Sequence, residues 1–220
     1  MMDKRHVIFG AYDTADYWTL TGCTLDAPEL RTNYVEVPGR NGSLDLSTAN
    51  TNGEPVYSDR TLTVTLECSE GTKVERDAEI TKLYTILDGY RVNIVLPDES
   101  DYYRTGRCTI SVDYSNHAHA ALTITATVTP MRTKTVATTI YRTLSTSQVS
   151  VTLTNNGRPV VPTITVESST TLIFGSYTTT LSVGTWTVPS IRLANGENTI
   201  KAKATDGSGK VTFTWNEVTL

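Results

Sequence analysis

Three stretches of this chain alternate apolar and polar side chains with strict period two, and no other feature limits the possible folds as much. Leu62, Val64 and Leu66 alternate with Thr61, Thr63, Thr65 and Glu67. Cys108, Ile110, Val112 and Tyr114 alternate with Arg107, Thr109, Ser111 and Asp113, and Leu122, Ile124, Ala126 and Val128 with Thr123, Thr125, Thr127 and Thr129. Period two sends successive side chains to opposite faces of a sheet, so each stretch reads as a strand with one buried and one wet face. Threonine strengthens the reading. It fills 41 of the 220 positions, and its branched Cβ loses rotamer freedom in a helix but suits the solvent side of a pleated sheet. Residues 91–96 add a strand that Pro97-Asp98 stops. The chain is expected to be mainly β.

One segment breaks the period. Between residues 74 and 88, Ile80, Leu83, Tyr84 and Leu87 fall at i, i+3, i+4 and i+7, a single helical stripe. Thr72 with Glu75 three residues on makes a capping box, and Gly89 can close the last turn in the left-handed conformation. The stripe predicts a helix lying on the sheet.

Pro130 ends the third alternating stretch, and the Thr-, Ser- and Arg-rich run after it is weakly patterned. The reading is therefore an N-terminal domain over 1–132, a linker over 133–147 and a small all-β domain over 148–220. The last part shows short strands at sandwich spacing: 149–153, 163–167, 176–181, 184–188, 198–205 and 210–215. Asn155-Asn156-Gly157, Ala194-Asn195-Gly196 and Asp206-Gly207-Ser208-Gly209 supply turn residues between them. The final two strands read as a hairpin, with Ile200, Ala202 and Ala204 facing in beside Val211, Phe213 and Trp215.

Composition narrows the function classes. Hydrophobic residues make up 38%, charged residues 19%, and mean hydropathy is -0.21, values of a soluble globular chain rather than a disordered or membrane one. No apolar run approaches the roughly 20 residues that cross a bilayer, so no membrane insertion is expected, and the opening residues lack a signal-peptide core. The net charge of -4, with acidic and basic residues interspersed, argues against a nucleic-acid binder. Cys23, Cys68 and Cys108 are isolated thiols, in keeping with synthesis in a reducing cytoplasm.

Candidate chemistry is thin. His117-Ala118-His119 could aim two imidazoles one way, but a metal needs further ligands, and a solvated loop tip fits better. Asp98, Glu99 and Asp101 beside Tyr102 and Tyr103 resemble a carboxylate pair near aromatics, yet Pro-Asp-Glu-Ser-Asp is ordinary turn chemistry. Gly39-Arg40-Asn41-Gly42 lacks the Lys and helix start of a phosphate loop and reads as a tight turn entering a strand. No catalytic, cofactor-binding or metal-binding residue is expected. Eleven tyrosines and three tryptophans fit burial between subunits at least as well as catalysis.

Several motifs, in order along nearly the whole chain, resemble those of the siphophage distal tail proteins. The opening Phe9-Gly10-Ala11-Tyr12 through Asp16-Tyr17-Trp18-Thr19-Leu20 is similar to that family's start. The most specific stretch runs Val35-Glu36-Val37-Pro38-Gly39-Arg40-Asn41-Gly42-Ser43-Leu44-Asp45-Leu46, with Asn41 where Asp is usual. It is joined by Arg60, Leu87-Asp88-Gly89-Tyr90, Gly106-Arg107 and Thr129-Pro130-Met131-Arg132. Asn155-Asn156-Gly157, Gly196-Glu197-Asn198-Thr199-Ile200 and Glu217-Val218-Thr219-Leu220 extend it through the second domain.

The resemblance implies an N-terminal β-sandwich or barrel-like domain with one helix, followed by a galectin-like β-sandwich. It implies a structural virion component at the tail tip, assembled in the bacterial host cytoplasm. Six copies would form a ring between the tail tube protein and a tail-associated fibre or lysin hub, with DNA passing through the lumen. Pro38, Gly39, Arg40, Asn41, Gly42, Leu44 and Asp45 are its structural motif, and no cofactor is implied. Ring closure needs two different complementary patches on each copy, and Tyr12, Tyr17, Trp18 and Tyr34 are expected at that interface. The competing reading is a carbohydrate-binding adhesion module, with Trp186 and Trp215 as a sugar platform; both sit in alternating strands, where core burial is expected instead.

Overall fold

Alternation and register together build the first core. In the computed structural model, which describes residues 5–68, 70–113 and 119–220, the chain divides into two compact units between Arg132 and Thr133. The first carries β1 (Ile8–Phe9), β2 (Tyr12–Asp13), a 3-10 turn (Thr14–Asp16), β3 (Thr19–Leu25), β4 (Tyr34–Val35), β5 (Leu44–Asp45), β6 (Arg60–Cys68), α1 (Lys73–Leu87), β7 (Arg91–Val95), β8 (Tyr102–Asp113) and β9 (Ala120–Val128). Seven strands form an antiparallel, curled half-barrel in the order β2-β1-β7-β8-β9-β6-β3. Leu62 pairs with Ala126, Val64 with Ile124 and Leu66 with Leu122, while Cys108 and Ile110 meet Ala126 and Ile124 from the other side. All are buried, and the threonines between them face solvent. Gly106 permits the close pairing of β8 and β9: a Cβ there would stand 2.5 Å from Val128 Cγ1. His117 and Tyr114 lie outside the described residues.

The helix lies on this sheet as expected, starting one residue earlier than predicted. Its capping box is present: the Thr72 hydroxyl accepts from the Glu75 amide at 3.3 Å, and the Thr72 amide donates to Glu75 Oε2 at 2.6 Å. Ile80, Leu83 and Leu87 are buried. Tyr84 is not part of the buried stripe. It stands 37% exposed at the helix flank, and Arg76, one turn before Ile80, is buried instead, its guanidinium donating to the Gly71 carbonyl at 2.7 Å.

β10 (Arg132–Lys134) spans the division. The second unit then holds β11 (Thr138–Leu144), β12 (Val149–Asn155), β13 (Thr163–Val166), β14 (Thr170–Phe174), β15 (Tyr177–Leu181), β16 (Gly184–Thr187), β17 (Gly196–Ala204), β18 (Gly209–Trp215) and β19 (Val218–Thr219). Two four-stranded sheets, β11-β18-β13-β16 and β12-β17-β14-β15, enclose its core as a sandwich. Two expectations are corrected here. The stretch 133–147 is not a linker, because β11 pairs along its full length with β18 and buries Leu144. The hairpin of β17 with β18 does not form: each belongs to a different sheet. Their apolar faces do point inward, and the core closes because Ile200, Ala202 and Ala204 meet Val211, Phe213 and Trp215 from opposite sheets.

Candidate functional site

Between β3 and β6 the chain leaves the sheet, and none of residues 26–59 is buried. The excursion is held as an arm by a few backbone bonds. At its base the Ser58 amide donates to the Glu29 carbonyl (2.9 Å), and the Arg31 amide to the Val56 carbonyl (2.8 Å). The Arg60 guanidinium donates to the Asp26 carbonyl at 2.6 Å. Further out β4 pairs with β5 over two residues, and the Leu46 amide donates to the Asn33 carbonyl at 2.8 Å.

The motif residues form the arm's outer end. The Arg40 amide donates to the Val37 carbonyl at 3.1 Å, with Gly39 and Gly42 at φ +81° and +76°. These are left-handed values that only glycine adopts without strain. Asp45 accepts from the Ser47 amide at 2.9 Å, and the Ser47 hydroxyl accepts in turn from the Asn33 amide at 2.8 Å. The Ser47 hydroxyl and amide hold the Asp45 carboxyl below its ordinary value. Pro38, Arg40, Asn41 and Gly42 are exposed, and Leu44 is half-buried. The motif is thus turn and register chemistry for a short projecting hairpin.

The arm is not polar throughout. Leu30, Tyr34, Val35, Val37 and Leu46 are 37% to 61% exposed. Isolated exposed apolar residues are ordinary; here five stand on one excursion, and none of them is buried.

The other predicted interface aromatics are placed differently. Tyr12 and Trp18 are buried, at 6% and 2% exposure. The Trp18 indole donates to the Tyr12 hydroxyl (3.0 Å), which donates to Glu79 Oε1 on α1 (2.6 Å); Lys82 lies 4.9 Å from the centre of the Tyr12 ring and 3.1 Å from the same carboxylate oxygen. Burial first, then the Glu79 carboxylate, push the Tyr12 phenol far above its usual range. Tyr17 is half-buried, edge-on to Trp18 with ring centres 5.5 Å apart. Tyr12 and Trp18 therefore fasten the helix to the start of the chain and are not available as surface. Of the four aromatics, Tyr34 alone stands mostly clear of the protein.

Sequence reasoning missed an ion cluster at one end of the half-barrel. The buried Arg104 pairs with Glu99 through two nitrogens, Arg132 Nη1 reaches Glu99 Oε1 at 2.9 Å, and the Arg132 guanidinium stacks 4.5 Å from the Tyr102 ring centre. Burial alone would raise the Glu99 carboxyl, but the hydrogen bonds and charges of Arg104 and Arg132 outweigh it and hold the group below its usual value. Arg104 occupies an inward position of β8, a sequence signal that could have been read.

In the second unit the recurrent motifs converge on one loop end. Asn155 Nδ2 donates to the Arg158 and Leu193 carbonyls (2.9 and 3.2 Å), and Asn198 Nδ2 donates to Ala194 and Gly196 (2.8 and 3.0 Å). Glu217 accepts from Asn156 at 3.0 Å and from Lys134 at 3.3 Å. These side chains satisfy loop backbone that no ladder reaches. Trp215 is buried as expected. Trp186 is not: it stands 39% exposed, its indole donating to the Ser182 carbonyl at 2.8 Å. It lies opposite the buried Ile164 and so on the core face, but β16 is an edge strand where that face runs out.

No protein-family model and no curated protein matches this chain. Among solved structures it is similar to the crystal structure of SPP1 Dit (gp 19.1), described as a paradigm of the hub adsorption apparatus in phages that infect Gram-positive bacteria. The TM-score is 0.65 at 17% identity, over 98% of this chain and 99% of that one. A mainly β half-barrel with one helix, followed by a two-sheet sandwich, is thus the fold that this chain shares with that phage hub protein.

Proposed function

We propose that this chain is a structural subunit of a phage or prophage tail tip, in which copies close into a ring. That ring, of six copies as the family resemblance implies, joins the tail tube to the fibre or lysin hub and leaves a bore for DNA. The observation that carries the reading is the arm. An excursion with five exposed apolar residues and no core of its own can bury them only against a neighbour, and one patch meeting a different patch on the next copy is the geometry that closes a ring. The shared fold with a hub protein supports the same role, which is structural rather than catalytic. The test is sedimentation and negative-stain imaging of the full chain, alone and with tube and hub proteins, against a variant whose residues 31–56 are replaced by a short Gly-Ser link. The full chain is expected to form rings, and the variant to fold and stay monomeric. A full chain that remains monomeric with both partners present overturns the proposal.

Glycan recognition by the second unit is the alternative, favoured by the exposed ring of Trp186. Retention of the full chain on cell-wall glycan, lost with Trp186→Ala, would establish it.

A further inference from the structure

The outward face of the first unit's sheet is nearly all hydroxyl. Strand register sets Thr109, Thr125, Thr63 and Thr24 abreast, and beside them Ser111, Thr123 and Thr65. Two rows differ. At one end Asp113, Ala121 and Glu67 stand abreast, and at the other Arg91 lies directly opposite Arg107, followed by Thr127 and Thr61. Directly opposed residues of an antiparallel pair share a face at close range, and like charges there repel, so the pair costs the sheet stability. Both side chains are exposed, and neither forms an ion pair among the described residues; Arg107 donates to the Gly89 carbonyl. Together with Asp59, Thr105, Thr109, Thr127 and Thr129 they line a cleft. One carboxylate against two guanidiniums leaves that cleft positive, in a chain whose net charge is -4.

We propose that Arg91 and Arg107 receive a carboxylate from a second copy of this chain, that of Glu36 at the end of the arm. The inference rests on the ring reading above. Two adjacent guanidiniums offer charge-assisted donors to both oxygens of a single carboxylate. A nucleic-acid backbone would need a track of cations, and the neighbouring rows on this face are neutral. Glu36 is exposed, belongs to the arm that awaits a neighbour, and has no ion pair among the described residues. A positive cleft and an unpaired carboxylate on one chain supply the two unlike, complementary patches that a head-to-tail ring requires.

The test uses full-length variants, with assembly followed by sedimentation over a range of protein and salt concentrations and folding by thermal midpoint. Arg91→Ser with Arg107→Ser removes the repulsion, so the thermal midpoint is expected not to fall. The concentration for half-assembly should rise about tenfold, an effect that weakens with salt. Glu36→Gln should do the same without adding to the arginine change, and Glu36→Arg combined with Arg91→Glu and Arg107→Glu should restore assembly. Variants that assemble like the parent chain at every salt concentration overturn the proposal while leaving the ring intact. Arginine variants that assemble normally but lose affinity for duplex DNA also overturn it, assigning the pair to phosphate. A parent chain that never associates overturns the ring reading itself.

Discussion

Tyr12→Phe separates an aromatic that holds the fold together from one that joins subunits. The change removes one oxygen. The Trp18 indole N–H, in a residue 2% exposed, then has no acceptor at 3.0 Å, and Glu79 loses a donor at 2.6 Å. A buried donor left unsatisfied costs about 1–3 kcal/mol, and the lost hydrogen bond to a carboxylate adds to it. Release of the desolvated phenol offsets part, so the net destabilisation should be about 2 kcal/mol. For a unit of this size that lowers the thermal midpoint by about 6–8 °C. Differential scanning calorimetry would measure it. Because the three groups act as a chain, Tyr12→Phe should cost less once Trp18→Phe has removed the donor, with a coupling of about 1 kcal/mol. An unchanged midpoint with weakened self-association would refute the reasoning and return Tyr12 to the interface.

Three further outcomes are expected. Gly157→Ala should cost about 3 kcal/mol, seen as an earlier urea transition of the second unit alone, because a Cβ would stand 2.5 Å from the Val218 carbonyl oxygen and 2.8 Å from its nitrogen, backbone atoms that cannot rotate away. Glu99→Gln should cost about 3 kcal/mol near neutral pH by leaving the buried Arg104 without a carboxylate. Since the folded-state carboxyl titrates below its unfolded value, the stability it lends is present above the ordinary carboxylate range and lost as pH falls through the lowered one; acid unfolding of Glu99→Gln should therefore show a shallower pH dependence. Thr72→Ala should cost about 1 kcal/mol through loss of the capping box, read as faster amide exchange in the first turn of α1.

Local order was legible in this sequence. The alternation over Leu62 to Leu66 and over Leu122 to Val128 assigned both strand and buried face. Thr72, Glu75 and Gly89 marked the helix ends, and Gly39 and Gly42 the arm's turn. Each is a short-range consequence of steric preference or of hydrogen bonding within a few residues. The family resemblance reached the fold in the same way, through turn and cap motifs, among them Asn155-Asn156-Gly157 and Gly196-Glu197-Asn198, which meet at one loop end. It could not say what those residues do.

What the tertiary structure alone decided is where each surface ends. Tyr12, Trp18 and Tyr34 are similar as letters, yet two are buried against α1 and the third stands on the arm, because burial depends on what packs across from a residue. Trp186 follows the strand period onto the core face and is still exposed, since nothing in a strand's own sequence tells it that it lies at a sheet's edge. β17 and β18 follow one another through a turn that suits a hairpin, but their apolar faces are satisfied across the sandwich rather than beside each other. Period and propensity act over a few residues and settle what each segment is. The pairing of Arg91 with Arg107, like the choice of sheet for each strand, arises from contacts between distant segments, and only the assembled core ranks one such arrangement above another.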